Sequence, residues 1–423
     1  MRTLRCVNTD AAGTPSLSGL DVADVTIDQI KAARDELRGT TLVTPMEGSR
    51  WLKALTGQDV WLKCENLQRT GSFKIRGAYL RISHLTEEER ARGVVAASAG
   101  NHAQGVALAA SLLGIKSTVF MPSGAPIPKE KATRGYGAEV RFTGTTIDDC
   151  LIEARRFAAE TGAELIHPFD HADIVAGQGT CGLEILEQAP EVKTVIVPTG
   201  GGGFLAGIAA AVKALRPDVE VVGVQAESAA AYPASLEAGR PVPLASMATM
   251  ADGIAVGCPG EVPFAAVQRH VDQIRTVSEE SLSRALLALM ERAKVVVEPA
   301  GAAAVAALLD SPHDFEGPIV AVLSGGNIDP LLLMRVIRHG MAAAGRYLAV
   351  QCRIPDRPGG LVELLSELSA CEANVLDVVH ERTSESLALD QVDVVLQMEM
   401  RGQEHSDLVL AKLRERGYDV TVF

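Results

Sequence analysis

Aromatic residues are scarce in this chain: Phe, Trp and Tyr make up 4% of its 423 residues. Basic residues are outnumbered as well, since 40 Lys and Arg face 53 Asp and Glu for a net charge of −13. Nucleic acid and anionic membranes attract basic surfaces, so both are poor partners. The seven cysteines contain no CxxC pair, so zinc-ligand spacing is absent and no disulfide framework is expected at this size.

Long apolar runs are also missing. No stretch long enough to span a membrane is free of both charge and sequence breaks, and no apolar run follows a basic segment near the first residue. These absences argue against membrane spanning and secretion, and they predict a cytoplasmic protein. Alanine, valine, leucine and glycine dominate instead, which suits close packing of helices against sheets in two or three domains.

Short apolar segments alternate with helical patterns between about residue 25 and residue 340, after a Thr/Ser/Gly-rich segment (1–20) that is predicted to be loose. This alternation indicates parallel sheets covered on both faces by helices. Ligands of such sheets bind beyond the carboxyl ends of the strands. The predicted strands include residues 94–98, 117–122, 137–142, 195–199, 221–225 and 319–324.

The last 78 or so residues have a different pattern. Residues 346–356 are predicted to form a strand and 358–372 a helix, and the order of the following segments completes a βαββαβ unit of the ferredoxin-like type. This unit contains no obvious nucleophile, metal cluster or general base. A binding role is therefore favoured for it.

A run of four glycines separates a predicted apolar strand from a predicted apolar helix in TVIVPTGGGGFLAGIAAAVKA, residues 194–214. A helix start has unpaired amides and a partial positive charge, and glycines let several of these amides approach one anion. The run matches neither GxxxxGK[ST] nor GxGxxG, so a single phosphate is the ligand that it favours. The alternative is a tight turn that only packs against a neighbour.

Lys74 opens another predicted helix, in SFKIRGAYLRI. The helix dipole is already positive there, which favours the neutral amine that is needed to form an imine. For an isolated SxK motif, a solvated surface lysine is the more common interpretation.

Four motifs occur in the order SFKIRGA, SAGNHAQG, PTGGGGF and LSGGN, beginning at positions 72, 98, 198 and 323. Together they resemble the fold-type II pyridoxal-phosphate enzymes, specifically the serine/threonine dehydratase family. The resemblance covers about residues 20–340 and implies two parallel-sheet αβα domains of the tryptophan synthase beta type, the small one (about 65–162) inserted in the large one. Residues 346–423 look like an ACT domain, a regulatory module that commonly binds amino acids between paired copies. A homodimer or homotetramer is therefore expected.

The resemblance implies a role for two of the motifs in holding the cofactor, pyridoxal 5′-phosphate. Lys74 would hold its aldehyde covalently and then remove the proton from the substrate's Cα. Phe73 would pack against the cofactor, or else only in the core. The phosphate would be bound by main-chain amides of Gly200, Gly201, Gly202, Gly203 and Phe204.

The other two motifs are implied to contact the ring and the substrate. Asn101 would hydrogen-bond the ring hydroxyl, with helix capping as its alternative role. The substrate carboxylate would bind amides of the loop Ser98, Ala99, Gly100, Asn101 and His102, and His102 itself is interpreted as structural. Ser324 would face the pyridine nitrogen or would be a simple turn residue.

The resemblance implies dehydration and deamination of L-threonine to 2-oxobutanoate and ammonia, with L-serine as a secondary substrate. A neutral Ser324 hydroxyl would make the ring a weaker electron sink, which favours prompt loss of a β-hydroxyl. Related serine racemases have a second serine where this chain has Ala99, so racemisation is not expected. The alternatives are a serine or 3-hydroxyaspartate dehydratase, or an amino-acid sensor that has lost its chemistry.

Three further expectations concern ligands. Some relatives bind a divalent cation near a glutamate whose place is taken here by Gln225, with Ala229–Ala231 following and Glu227 out of step, so no essential metal is predicted. Glu298 is expected near the cofactor or as a helix cap. The turn at residues 356–361 resembles an ACT ligand loop, with isoleucine or valine as the hypothetical effector and a structural turn as the alternative.

Overall fold

The computed structural model describes residues 25–382, 387–388 and 390–423, so the predicted loose segment (1–20) lies outside the described residues. The chain divides into two units, Met1–Leu333 and Met334–Phe423. The strands of the first unit are β1 (Met46–Gly48), β2 (Val60–Lys63), β3 (Val94–Ala97), β4 (Ser117–Met121), β5 (Glu139–Phe142), β6 (Glu164–Leu165), β7 (Thr194–Pro198), β8 (Glu220–Ala226), β9 (Gln273–Val277) and β10 (Ile319–Val322).

Helices connect these strands. They are α1 (Ile27–Glu36), α2 (Arg50–Thr56), α3 (Lys74–Ser83), α4 (Glu87–Arg92), α5 (Asn101–Leu112), α6 (Ile127–Gly135), α7 (Ile147–Thr161), α8 (Ala172–Gln188), α9 (Gly203–Leu215), α10 (Ala231–Ala238), α11 (Glu261–His270), α12 (Glu279–Ala288) and α13 (Pro299–Asp310). Helix α7 shows how their bounds are set: Thr146 and Asp149 form a capping box at its start, and Gly162 ends it at φ 74°.

Two sheets organise the first unit. The larger has the strand order β1-β2-β10-β7-β8-β9 and the smaller the order β5-β4-β3-β6. All neighbours are parallel except β1, which pairs with β2 in the antiparallel direction at the edge of the larger sheet. The predicted α/β class with parallel sheets is confirmed, and β1 is an addition that the alternation of strands and helices did not indicate.

Glycines allow α8 and α9 to pack closely against each other. A Cβ on Gly207 would lie 2.3 Å from the carbonyl oxygen of Val175, and one on Gly182 would lie 2.9 Å from Cβ of Ala211. Ile208, Ala209 and neighbouring apolar residues are buried in the core cluster that these helices share with β7. The shortage of aromatic residues thus reflects a core built from small side chains at short interhelical distance.

The second unit begins within α14 (Pro330–Ala343). Its further elements are β11 (Tyr347–Pro355), α15 (Gly360–Ala370), β12 (Asn374–Glu381), β13 (Gln391–Glu399), α16 (Gln403–Glu415) and β14 (Asp419–Val422). The strands form an antiparallel sheet in the order β12-β13-β11-β14, so the predicted βαββαβ order is confirmed. Alternate residues of β11, such as Val350 and Cys352, are buried in a core of their own with Leu364 and Leu413.

Within the described part of the chain, no helix is both long and apolar enough to cross a membrane.

Candidate active site

Three of the four motif loops leave neighbouring strands of the larger sheet. Strands β2, β10 and β7 lie side by side and are parallel, so the loops that follow them meet at one edge. The Phe73 N–H donates to the carbonyl of Ser324 at 3.3 Å, and the Gly326 N–H donates to the carbonyl of Gly71 at 2.9 Å. The loop that leads to Lys74 is therefore bonded directly to the LSGGN loop.

Lys74 is the first residue of α3. Its Nζ donates to the carbonyl oxygen of Pro168 at 3.0 Å and lies 5.2 Å from the centre of the Phe73 ring. Burial lowers the pKa of Lys74 to about 8, although the negative charge of Glu298 opposes this shift. The helix dipole predicts a more neutral amine at this position, whereas loss of hydration is the larger cause in the structure.

The glycine run forms the turn between β7 and α9. Gly202 is the N-cap residue of α9 and has φ 98°, a conformation that favours glycine. Its carbonyl oxygen accepts a hydrogen bond from the Ala206 N–H. A Cβ on Gly202 would lie 1.7 Å from Oη of Tyr232, and one on Gly201 would lie 2.5 Å from the ring of Phe169. The loop therefore has no room for side chains, and its backbone amides precede the first bonded turn of the helix.

An aromatic pair connects the glycine run with the lysine. The rings of Phe73 and Phe204 are stacked, with centroids 3.8 Å apart and planes 5° from parallel. Phe73 also packs on the core cluster of α8, α9 and β7. Its observed partner is thus the residue that follows the glycines.

The SAGNH loop follows β3 of the smaller sheet and opens α5. The Gly100 N–H donates to Oγ of Ser98 at 3.1 Å, and Gly100 is the N-cap without a capping side chain. His102 is buried, its Nε2 lies 2.8 Å from the carbonyl oxygen of Ile166, and burial lowers its pKa to about 3. A neutral, buried histidine bonded to the main chain has the surroundings of a structural residue.

Asn101 is the first residue of α5 and does not cap this helix. Its Nδ2 donates instead to Oε1 of Glu298 at 2.5 Å. Glu298 lies at the N-cap of α13, also without a capping bond from its side chain, and burial raises its pKa. The helix-capping alternative is wrong for Asn101, since Gly100 is the N-cap of α5. Glu298 holds the N-cap position of α13, but its side chain bonds Asn101 and not the helix.

A family model described as pyridoxal-phosphate dependent enzyme matches residues 37–325. The chain is 45% identical over 399 residues to the L-threonine ammonia-lyase of Thermotoga maritima, an alignment that covers 94% of this chain and 99% of that protein. Among solved structures, a T.th. threonine deaminase is 44% identical with a TM-score of 0.69, covering 72% of this chain and 99% of that one. Maize serine racemase is 35% identical with a TM-score of 0.71, covering 74% and 97%.

The chain belongs to the pyridoxal-phosphate dependent enzyme family. The predicted family and cofactor are thereby confirmed. The residues present fit that cofactor: the glycine turn leaves a cradle of amides that any Cβ would fill, and Lys74 has an amine whose pKa is already lowered to about 8.

Other residues of this pyridoxal-phosphate enzyme's site were not singled out from the sequence. Pro168 supplies the carbonyl that holds Lys74, and Phe169 and Tyr232 pack against the glycine turn. These contacts join residues that are far apart in the chain, so no local sequence pattern indicates them. Asn327 was part of the LSGGN motif, but only the structure shows that its amide reaches Asn101, at 2.8 Å.

Gln225 occupies the end of β8, where a metal-binding relative was expected to have a glutamate. Its Oε1 accepts the Tyr232 N–H at 2.9 Å, so the side chain joins β8 to α10. Among the described residues, no group of three or more His, Cys, Asp or Glu side chains is arranged to hold a metal ion.

Proposed function

We propose that this enzyme dehydrates and deaminates L-threonine to 2-oxobutanoate and ammonia, with L-serine as a secondary substrate. The observation that carries the proposal is the 45% identity to an L-threonine ammonia-lyase over nearly the full length of both chains. It is supported by the juxtaposition of Lys74, the glycine turn and Ser324 at one edge of the larger sheet.

Bound pyridoxal phosphate supplies an aldehyde for covalent attachment and a conjugated ring that withdraws electrons from Cα. Lys74 is proposed to hold the aldehyde, and its amine, released by the substrate, to take the proton from Cα. A pKa of about 8 suits both tasks, since about a tenth of the amine is neutral at pH 7, far more than for a solvated lysine, and the amine can still accept a proton.

The remaining contacts are proposed to orient the cofactor. Amides of Gly200, Gly201, Gly202, Gly203 and Phe204 would bind the phosphate at the start of α9. Asn101 would donate to the ring hydroxyl, the Ser324 hydroxyl would face the ring nitrogen, and Phe73, stacked on Phe204, would form an apolar wall.

The SAGNH loop is proposed to bind the substrate carboxylate through amides from Ser98 to His102. Ala99 has no hydroxyl, so the loop offers no proton donor on the face opposite Lys74. Elimination is therefore favoured over racemisation, although the fold is shared with a serine racemase.

Release of 2-oxoacid from L-threonine, L-serine and 3-hydroxyaspartate tests the substrate assignment. We expect the highest kcat/KM with threonine and a lower value with serine. Borohydride reduction followed by peptide mapping should place the cofactor on Lys74, and Lys74→Ala should lose it. A colourless protein that gains nothing from added cofactor would instead support an amino-acid sensor.

For the domain organisation, we propose a catalytic region at 20–340, with a small domain at about 65–162, and an ACT-like regulatory domain at 346–423. The βαββαβ order of the second unit supports the latter. Isoleucine or valine is the proposed effector, bound near the turn at 356–361, where Gly359 has φ 93°. Calorimetric titration of the full chain with each amino acid tests this, and absence of heat from both would remove the idea.

We further propose a homodimer or homotetramer in the cytoplasm. ACT-like units have open sheet edges, and the edge strand β12 exposes Leu376 and Val379. Light scattering of the purified protein would give the assembly state, and a monomer at micromolar concentration would contradict the proposal.

A further inference from the structure

Asn327, the last residue of the LSGGN motif, joins three loops through its side-chain amide. Its Nδ2 donates to the carbonyl oxygen of Thr70 at 2.6 Å and to Oδ1 of Asn101 at 2.8 Å. Nδ2 of Asn101 in turn donates to Oε1 of Glu298 at 2.5 Å. Two asparagines thus connect the loop before Lys74, the start of α5 and the start of α13.

The direction of these bonds is fixed at one end by the main chain. A carbonyl oxygen can only accept, so the atom of Asn327 that faces Thr70 is the amide nitrogen. The same nitrogen meets Asn101, so the atom of Asn101 at that contact is its oxygen. The nitrogen of Asn101 is therefore turned toward Glu298, with one hydrogen still available for another acceptor.

Two glycines leave the space that this arrangement occupies. A Cβ on Gly325 would lie 2.4 Å from Oε1 of Glu298 and 3.0 Å from Nδ2 of Asn101. A Cβ on Gly71 would lie 2.5 Å from Oδ1 of Asn327. A side chain at Gly325 or Gly71 would therefore collide with the hydrogen-bonded side chains of Glu298, Asn101 and Asn327.

The backbone of Thr70 is a second feature that the hydrogen bond from Asn327 stabilises. It has φ 63° and ψ 10°, a left-handed conformation that is costly for a β-branched residue. The bond from Asn327 holds the Thr70 carbonyl in place four residues before Lys74. Asn327 thus stabilises both the loop that leads to the lysine and the rotamer of Asn101.

We propose that Asn327 is a positioning residue that fixes the carboxamide of Asn101 with its nitrogen toward the ring hydroxyl of the bound cofactor. The proposal rests on the function proposed above, in which Asn101 donates to that hydroxyl. Without Asn327, the amide of Asn101 would lose the donor that keeps its oxygen turned away from Glu298.

The substitution Asn327→Asp tests this, because aspartate has nearly the same shape but cannot donate to Thr70 or to Asn101. The readout is the near-ultraviolet and visible absorbance of the cofactor-loaded protein as a function of pH, since the position of the proton shared by the ring hydroxyl and the Lys74 nitrogen determines the band. We expect the ratio of the two absorbing forms at a given pH to change by about three- to tenfold, the effect of one hydrogen bond. Cofactor retention should change little, because the glycine turn is untouched.

Asn66→Asp is the matched control, since the Asn66 amide donates instead to the carbonyl of Val296 at 3.1 Å. It should keep the wild-type ratio, and an equal change in this control would overturn the inference. An Asn327→Asp spectrum identical to that of the wild type would also overturn it. A colourless wild-type protein would instead refute the proposed function.

If Asn327→Asp does not fold, the double variant with Thr70→Gly replaces it, because glycine adopts φ 63° without help. We expect this variant to fold and to show the altered ratio. A wild-type ratio in the folded double variant would mean that Asn327 only supports the loop at Thr70, and the inference would be wrong.

Discussion

The guanidinium of Arg76 binds the carboxylate of Glu65 through two hydrogen bonds, each 2.8 Å long, and both side chains are buried. Arg76 also donates to Thr180, Glu184 and the carbonyl of Leu42, so all of its N–H groups have acceptors. Burial alone would raise the pKa of Glu65, but the charge and hydrogen bonds of Arg76 hold it below its usual value.

Lys63 completes the network. Its Nζ donates to Glu184 at 2.6 Å, to Gln188 at 2.8 Å and to the carbonyl of Thr44 at 2.9 Å. Two cations and two carboxylates therefore balance in the interior. Because they lie on β2, the loop after it, α3 and α8, the network ties the helix that begins at Lys74 to the larger sheet.

Arg76→Met should destabilise the protein by about 3–5 kcal/mol, because it leaves the carboxylate of Glu65 buried without its cation and removes one of the two cations that bind Glu184. Urea unfolding measures this loss. The double variant with Glu65→Met should recover part of it, since removing both charges is less costly than removing one. Arg156→Met is the control: Arg156 also pairs with glutamates, but at an exposed site, and its loss should have little effect.

The parallel sheets, the βαββαβ unit and the motif loops at strand ends could be predicted because each depends on a local pattern of apolar, glycine and turn residues. The contacts that complete the site could not. Asn101 and Glu298 are 197 positions apart, and Asn101 and Asn327 are 226 apart. No periodicity indicates such a pair, so the sequence leaves helix capping open as an alternative for both Asn101 and Glu298, and only the structure shows that neither side chain caps its helix.

Arg76 illustrates the same limit. In the sequence it stands in an ordinary amphipathic stretch, where a charged residue usually faces solvent. Only the packing of α3 against α8 shows that this position is interior. A charge buried in this way is visible in sequence only as a break in the apolar face of a helix.

Gly202→Ala should weaken cofactor binding by about tenfold or more, because the new methyl would displace Tyr232 or the amides that are proposed to bind the phosphate. Fluorescence titration of cofactor-free protein measures the Kd. The comparison is Gly39→Ala, at φ 82° with no atom within 4 Å of the added Cβ. That variant carries only the backbone penalty of about 1–2 kcal/mol and should bind the cofactor as the wild type does. Tyr232→Phe added to Gly202→Ala should restore part of the affinity.

His102 should make the protein sensitive to acid. Its pKa falls from 6.5 to about 3 on folding, chiefly through burial, so the unfolded chain binds a proton that the folded one excludes. The free energy of unfolding is therefore not reduced by His102 above pH 6.5, and it decreases as the pH falls from 6.5 toward 3. His102→Gln, which can still donate to Ile166, should reduce the slope of unfolding free energy between about pH 4 and 6 by about 1.4 kcal/mol per pH unit.

The rate at which cofactor-free protein attaches pyridoxal phosphate should rise with pH and have its midpoint at about 8, because only the neutral amine of Lys74 reacts and its pKa is about 8. Borohydride reduction at timed intervals, followed by quantification of the Lys74 peptide, gives this rate. Glu298→Gln should move the midpoint to lower pH, because the Glu298 carboxylate favours the charged form of Lys74. A midpoint near about 10.4, the value of a solvated lysine, would show that burial does not govern this amine. An unchanged midpoint in Glu298→Gln would show instead that the carboxyl is already neutral, as its own raised pKa permits.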